Sequence, residues 1–226
     1  MPSAGIDETD YIRAFMSERE VDPRRAALAV VDMQYATGHR DGALGRRMLR
    51  EGSNVTNYRF ERIETKVVPN IRRLLAGFRG AGAEVIYLTV GSRRRDIADA
   101  PPHMAKLFRD TDNYEGSREH EIVDELKPEP GEFVINKTSI GAFASTGLDH
   151  LLRSLGKEQL YMTGVSTNMC VETTAREAAD RGYLVTLVED ACGATIEELH
   201  RGTMVNFQRL FGRVVSTDQA LAELSM

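Results

Sequence analysis

Gln159-Leu160-Tyr161-Met162-Thr163 runs straight into Gly164-Val165-Ser166-Thr167-Asn168-Met169-Cys170, where a helical pattern opens and continues to Arg181. A β-rich apolar run that passes through a short loop into a helix is half of a β-α-β unit. The same grammar recurs on both sides. Ala27–Val31, Glu84–Val90, Glu132–Asn136, Tyr183–Val188 and Gly212–Ser216 read as further strands. Helical spacing places Val67, Val68, Ile71, Leu74, Leu75 and Phe78 on one face of a helix over Val67–Gly80, with two more helices at Thr146–Leu155 and Thr195–Phe211. Nearly continuous apolar strands alternating with helices imply a parallel sheet, right-handed crossovers and helices on both faces. The expected fold is a single three-layer α/β/α domain over residues 1–226, with 1–25 as an N-terminal extension. Residues 36–66 and 91–131 read as irregular, and insertions of that length are often functional loops.

Composition narrows the function. The chain of 226 residues suffices for one domain with a large core. Hydrophobic residues at 42% and charged residues at 28% are ordinary globular usage, which excludes a disordered chain. A net charge of −5 leaves no basic footprint for nucleic acid or an anionic membrane surface. No segment approaches the roughly 20 apolar residues of a membrane span. The first residues, Met1 to Glu8, are acidic and lack an apolar signal core, so a cytoplasmic location is expected. Two cysteines, Cys170 and Cys192, cannot build a disulfide framework and are expected as thiols.

Ligands of open parallel sheets bind beyond the carboxyl ends of the strands. Asp32 follows the first strand, Lys137 the third and Cys170 the fourth. A thiol at a helix start gains from the helix dipole and from free N–H groups, which favour thiolate and can form an oxyanion hole. Asp32 is placed to take the thiol proton. Lys137 is placed to hold Asp32 ionised and to stabilise developing negative charge. Taken singly, each has a plainer reading: buried small hydrophobe, turn residue, solvated cation. Cys192 lacks a comparable approach loop and reads as structural. Dinucleotide and phosphate-loop fingerprints are absent, as is the elbow of a serine triad. The five histidines have no ligand spacing, so neither metal nor cofactor is expected.

Ala29-Val30-Val31-Asp32-Met33-Gln34, Asn136-Lys137-Thr138-Ser139-Ile140-Gly141-Ala142-Phe143 and Gly164–Val171 together resemble the isochorismatase-like cysteine hydrolases, over residues 26–216. The resemblance implies a six-stranded parallel sheet of order 3-2-1-4-5-6 and a triad of Asp32, Lys137 and Cys170. It also implies a cis peptide between Val165 and Ser166 that aims the Ser166 and Cys170 N–H groups at the oxyanion, and assembly as a homo-oligomer, a dimer or tetramer. The metal-binding arrangement of nicotinamidases is missing from Thr89-Val90-Gly91-Ser92-Arg93, whereas Arg94–Pro102 is similar to the ureide-cleaving branch of biuret hydrolases and N-carbamoylsarcosine amidases. In that branch Phe207-Gln208 aligns with a Met-Gln pair whose glutamine contacts the ureido group. Gln34, Tyr35, Phe143, Thr167 and Gln208 are accordingly expected to line the substrate pocket. The expected reaction is cleavage of a C–N bond in a small amide or ureide through a covalent thioester. The alternatives are the vinyl-ether hydrolysis of true isochorismatases, which lack the cysteine, and a non-catalytic binding or assembly relative.

Overall fold

Alternate residues of a strand face opposite sides of its sheet, and in the first strand that alternation divides the core in two. The computed structural model describes residues 12, 15 and 21–224. Its strands are β1 (Ala26–Val31), β2 (Glu84–Val90), β3 (Phe133–Lys137), β4 (Gln159–Val165), β5 (Leu184–Gly193) and β6 (Arg213–Val215). The helices are α1 (Tyr35–Gly38), α2 (Ala43–Arg50), α3 (Asn57–Arg62), α4 (Val68–Gly80), α5 (Pro102–Asp110), α6 (Leu148–Ser154), α7 (Glu172–Asp180), α8 (Glu197–Leu210) and α9 (Thr217–Leu224). The six strands pair in parallel in the order β3-β2-β1-β4-β5-β6.

Ala26, Leu28 and Val30 pack with Ile71, Leu74 and Phe78 of α4 and Ala220 of α9. Ala27, Ala29 and Val31 face the opposite layer, with Leu148 and Leu152 of α6, Ala175 and Ala178 of α7, and Met204 and Phe207 of α8. β1 is buried along its whole length and flanked by β2 and β4. The strand order reverses between β1 and β4, and at such a switch point a crevice opens beyond the carboxyl ends.

Several boundaries differ from those read in the sequence. The segment 36–66 is not irregular: it folds into α1, α2, α3 and a π-helical turn, Ile63–Val67, that joins α3 to α4. Pro69 has no N–H to donate to the turn before it, and the wider π turn accommodates that gap. Within 91–131, Pro102–Asp110 is helical. β5 does not stop at Val188 but continues to Gly193, so Cys192 lies within a strand instead of after one. The charged pair Glu189-Asp190 disguises that continuation. Cys170 also sits differently: it occupies a π-helical turn, Thr167–Val171, and the α-helix proper begins at Glu172.

Gly164 fixes how closely β1 and β4 approach at the crevice. Its φ is +104°, and a Cβ there would lie 2.0 Å from the Val31 carbonyl oxygen. Gly164→Ala should therefore cost more than about 3 kcal/mol of stability, read from urea unfolding monitored by circular dichroism. A cost below about 1 kcal/mol would show that the strands can part without penalty.

Candidate active site

Asp32 leaves the end of β1 in the left-handed region, φ +51°, with its N–H on the Leu88 carbonyl at 2.7 Å. Aspartate tolerates that conformation better than most residues, and the turn lifts its side chain out of the strand alternation. Lys137, the last residue of β3, reaches across β2. Its Nζ donates to Asp32 Oδ2 at 3.0 Å and to the Ser139 carbonyl at 3.3 Å. Neither side chain meets solvent to any extent: Lys137 is 0% exposed and Asp32 3%. The second carboxylate oxygen, Oδ1, is buried and accepts no hydrogen bond among the described residues.

Cys170 completes the cluster from the turn after β4. It is 7% exposed. Burial first, then the negative charge of Asp32, push its thiol up to about 12, with Lys137 opposing them. Burial, only partly offset by Lys137 and by the thiol, likewise raises the Asp32 carboxyl above its ordinary value. Burial works against the Lys137 ammonium, but Asp32 and Cys170 outweigh it, so its pKa is raised. The resting site is therefore a thiol beside an ion pair. The helix dipole does not produce a standing thiolate here, because the thiol is buried and faces a carboxylate. Before Cys170 the Val165–Ser166 peptide is cis. The Ser166 N–H donates to no backbone acceptor among the described residues.

The sequence reading missed Arg59. It projects from α3 and is 4% exposed. Its Nη1 donates to Ser166 Oγ at 2.7 Å and its Nε to the Thr37 carbonyl at 3.0 Å. Burial pulls its pKa down to about 10 against the attraction of Cys170 and Asp32. A signal was available. The apolar stripe Phe60, Ile63, Val67, Ile71 extends back to position 59 at helical spacing, so a charge there falls on a buried face. One turn on, Arg62 donates to the Cys192 carbonyl at 2.9 Å and to His200 Nε2 at 2.8 Å. With Nε2 accepting, the remaining ring hydrogen of a neutral imidazole lies on Nδ1, 2.9 Å from Thr167 Oγ1. Burial lowers the His200 pKa, consistent with a neutral ring.

The expected pocket residues separate on inspection. Thr167 lies three residues before Cys170, but it is fully buried and its hydroxyl is engaged by His200. Gln34 does not offer its amide to a ligand. Its Nε2 donates to the carbonyls of Val90 and His120, and its Oε1 accepts from the Val90 N–H, so the side chain tethers the end of β2. Tyr35 accepts from the Asp124 N–H at 3.3 Å and lies under the Arg118 guanidinium at 3.8 Å. Phe143 is 8% exposed and packs on Tyr183, with ring centres 5.8 Å apart. Gln208 lies in the last turn of α8. α8 starts near the carboxyl ends of the strands and runs back toward their beginnings, where Arg213 pairs with Thr186. Eight residues past His200, Gln208 lies about 12 Å further along that axis, away from the crevice.

An Isochorismatase domain model matches residues 26–219. The chain is 32% identical over 209 residues to ureidoacrylate amidohydrolase RutB of Pantoea ananatis, covering 86% of this chain and 80% of that one. The RutB protein of Caulobacter segnis is 31% identical over 212 residues, covering 87% and 84%. Among solved structures, a cysteine hydrolase from Pseudomonas syringae pv. phaseolicola superposes with a TM-score of 0.75 at 26% identity, covering 93% of this chain and 99% of that one. N-carbamoylsarcosine amidase from Thermoplasma acidophilum gives a TM-score of 0.65 at 27% identity, with coverage of 86% and 97%.

The raised thiol has a direct consequence for labelling. Alkylation of Cys170 by iodoacetamide should accelerate about tenfold per pH unit from pH 7 to 9, because only the thiolate reacts and its fraction keeps growing well below about 12. Rates measured by intact-mass spectrometry that level off near pH 7 would mean that the resting residue is already a thiolate.

Proposed function

The chain belongs to the isochorismatase family, and we propose that within it the protein is a cysteine amidohydrolase that cleaves a C–N bond of a small ureide or related amide. The observation that carries this reading is the buried Asp32–Lys137 pair at 3.0 Å with a free carboxylate oxygen beside a thiol. The names of the curated relatives, ureidoacrylate amidohydrolases, and of the structural neighbour N-carbamoylsarcosine amidase favour a ureido or carbamoyl group as the substrate's reacting part.

In this reading Asp32 takes the Cys170 proton as sulfur attacks the carbonyl carbon. The raised carboxyl pKa makes Asp32 a stronger base than an exposed aspartate. As Asp32 becomes neutral, its negative charge passes through sulfur to the substrate oxygen, which the backbone N–H groups of Ser166 and Cys170 stabilise. Lys137 keeps a positive charge against Asp32 throughout. Asp32 then returns the proton to the departing nitrogen, which leaves as ammonia or an amine. The acyl group remains on sulfur as a thioester, or as a thiocarbamate when the substrate is a ureide. Water, deprotonated by Asp32, attacks that carbonyl and releases the acid and the thiol. For R–NH–CO–NH₂ the net reaction consumes one water and yields ammonia and a carbamic acid, which falls apart to amine and carbon dioxide.

Ammonia release from a panel of ureido acids, neutral ureides and simple carboxamides tests the reading. Cys170→Ala should lose at least about a thousandfold in kcat/KM, whereas Cys192→Ala, changed deep in the sheet, should keep most of the activity. Activity that survives in Cys170→Ala would point instead to the ether hydrolysis of cysteine-free relatives. Asp32 and Lys137 should behave as one unit: Asp32→Asn and Lys137→Ala should each cost several orders of magnitude, and the double variant should be little worse than either. Multiplicative losses would assign them to separate steps.

A further inference from the structure

Arg59 brings a positive charge into the site that no carboxylate of the described residues pairs with. Lys137 has Asp32, and Arg62 has Glu189 at 3.7 Å. Arg59 has neutral acceptors only, the Thr37 carbonyl and Ser166 Oγ. These two bonds fix the guanidinium plane without neutralising it, and Nη2 donates to nothing among the described residues. The charges around the nucleophile therefore do not balance. Asp32 contributes −1, Lys137 and Arg59 contribute +1 each, and the thiol contributes nothing. A buried cation left without a counter-charge is costly to the fold. A guanidinium held flat with one nitrogen unused is also placed to donate to a carboxylate.

We propose that Arg59 binds a carboxylate of the substrate, so that the site selects ureido acids, ureides carrying an acid group within a few bonds of the scissile carbonyl, over neutral ureides and plain amides. The short reach follows from the bond between Arg59 and Ser166, which belongs to the same turn as the nucleophile. The anion brings the charge of the site to zero. It would also give Nη2 the acceptor that it lacks among the described residues. This inference rests on the amidohydrolase reading for the identity of the reacting group, but the anion site itself does not.

Two ratios separate the two claims. The first is kcat/KM for 3-ureidopropionate over that for its neutral methyl ester. Arg59→Gln should lower this ratio at least a hundredfold, and Arg59→Lys, which keeps the charge and loses the fork, should fall between Gln and wild type. The second needs no turnover: the rate of Cys170 alkylation by anionic iodoacetate over that by neutral iodoacetamide. It should fall at least tenfold in Arg59→Gln, with Arg59→Lys again intermediate. A cation that merely stabilised the thiolate would change both alkylation rates alike and leave this ratio fixed. If the wild type hydrolyses no ureide while the alkylation ratio falls, the amidohydrolase reading is wrong and the anion site stands. If ureides are hydrolysed and both ratios stay at their wild-type values in both variants, Arg59 is not an anion receptor and the amidohydrolase reading stands.

Discussion

The bond between Lys137 Nζ and Asp32 Oδ2 organises everything else at the crevice. Both groups are out of water, so each depends on the other to carry charge at all. Removing one member of such a pair leaves an uncompensated buried charge, at about 3–5 kcal/mol. The pair also constrains the fold. Lys137 ends β3 and Asp32 follows β1, so the lysine reaches across the end of β2 to meet it. β4 pairs with β1 on the far side and delivers Cys170 to the same place.

Around that pair the work is divided by element. Strand ends hold the carboxylate and the ammonium, 3.0 Å apart. The turn after β4 holds the thiol and the backbone donors. A helix outside the sheet adds the second cation. Burial raises both the thiol and the carboxyl, which keeps the proton on sulfur in the resting site. A resting thiol is also less exposed to oxidation than a resting thiolate.

Much of this was legible in the sequence, and the gaps have identifiable causes. The apolar runs located all six strands because parallel strands are buried on both faces. Asp32, Lys137 and Cys170 stood out because chemistry-bearing residues followed such runs. The end of β5 was hidden by Glu189 and Asp190, which look like a loop although the strand continues past them. Periodicity says nothing about which side-chain amide is already spent, so Gln34 looked available when Val90 and His120 hold it. Gln208 was placed by resemblance alone, because periodicity does not say which end of a helix meets the crevice. Arg59 was concealed in a stretch that read as irregular, where a single charge within an apolar stripe was the only clue.

The route from α3 to α4 makes the second cation a matter of phase. Asn57 to Gly80 is one continuous helical path, broken only by the wider turn at Ile63–Val67. Its far half is clamped into the core by Ile71, Leu74 and Phe78, so the near half cannot turn independently. Each residue of an α-helix advances about 100° around the axis. One residue gained or lost between Arg62 and Val68 would swing Arg59 away from Ser166 while leaving every strand and the ion pair untouched. Length variation before Asn57 has no such lever. In this architecture, the placement of a buried charge beside the strand ends can drift by insertion and deletion at a distance, with the phase of a single helix as the dial.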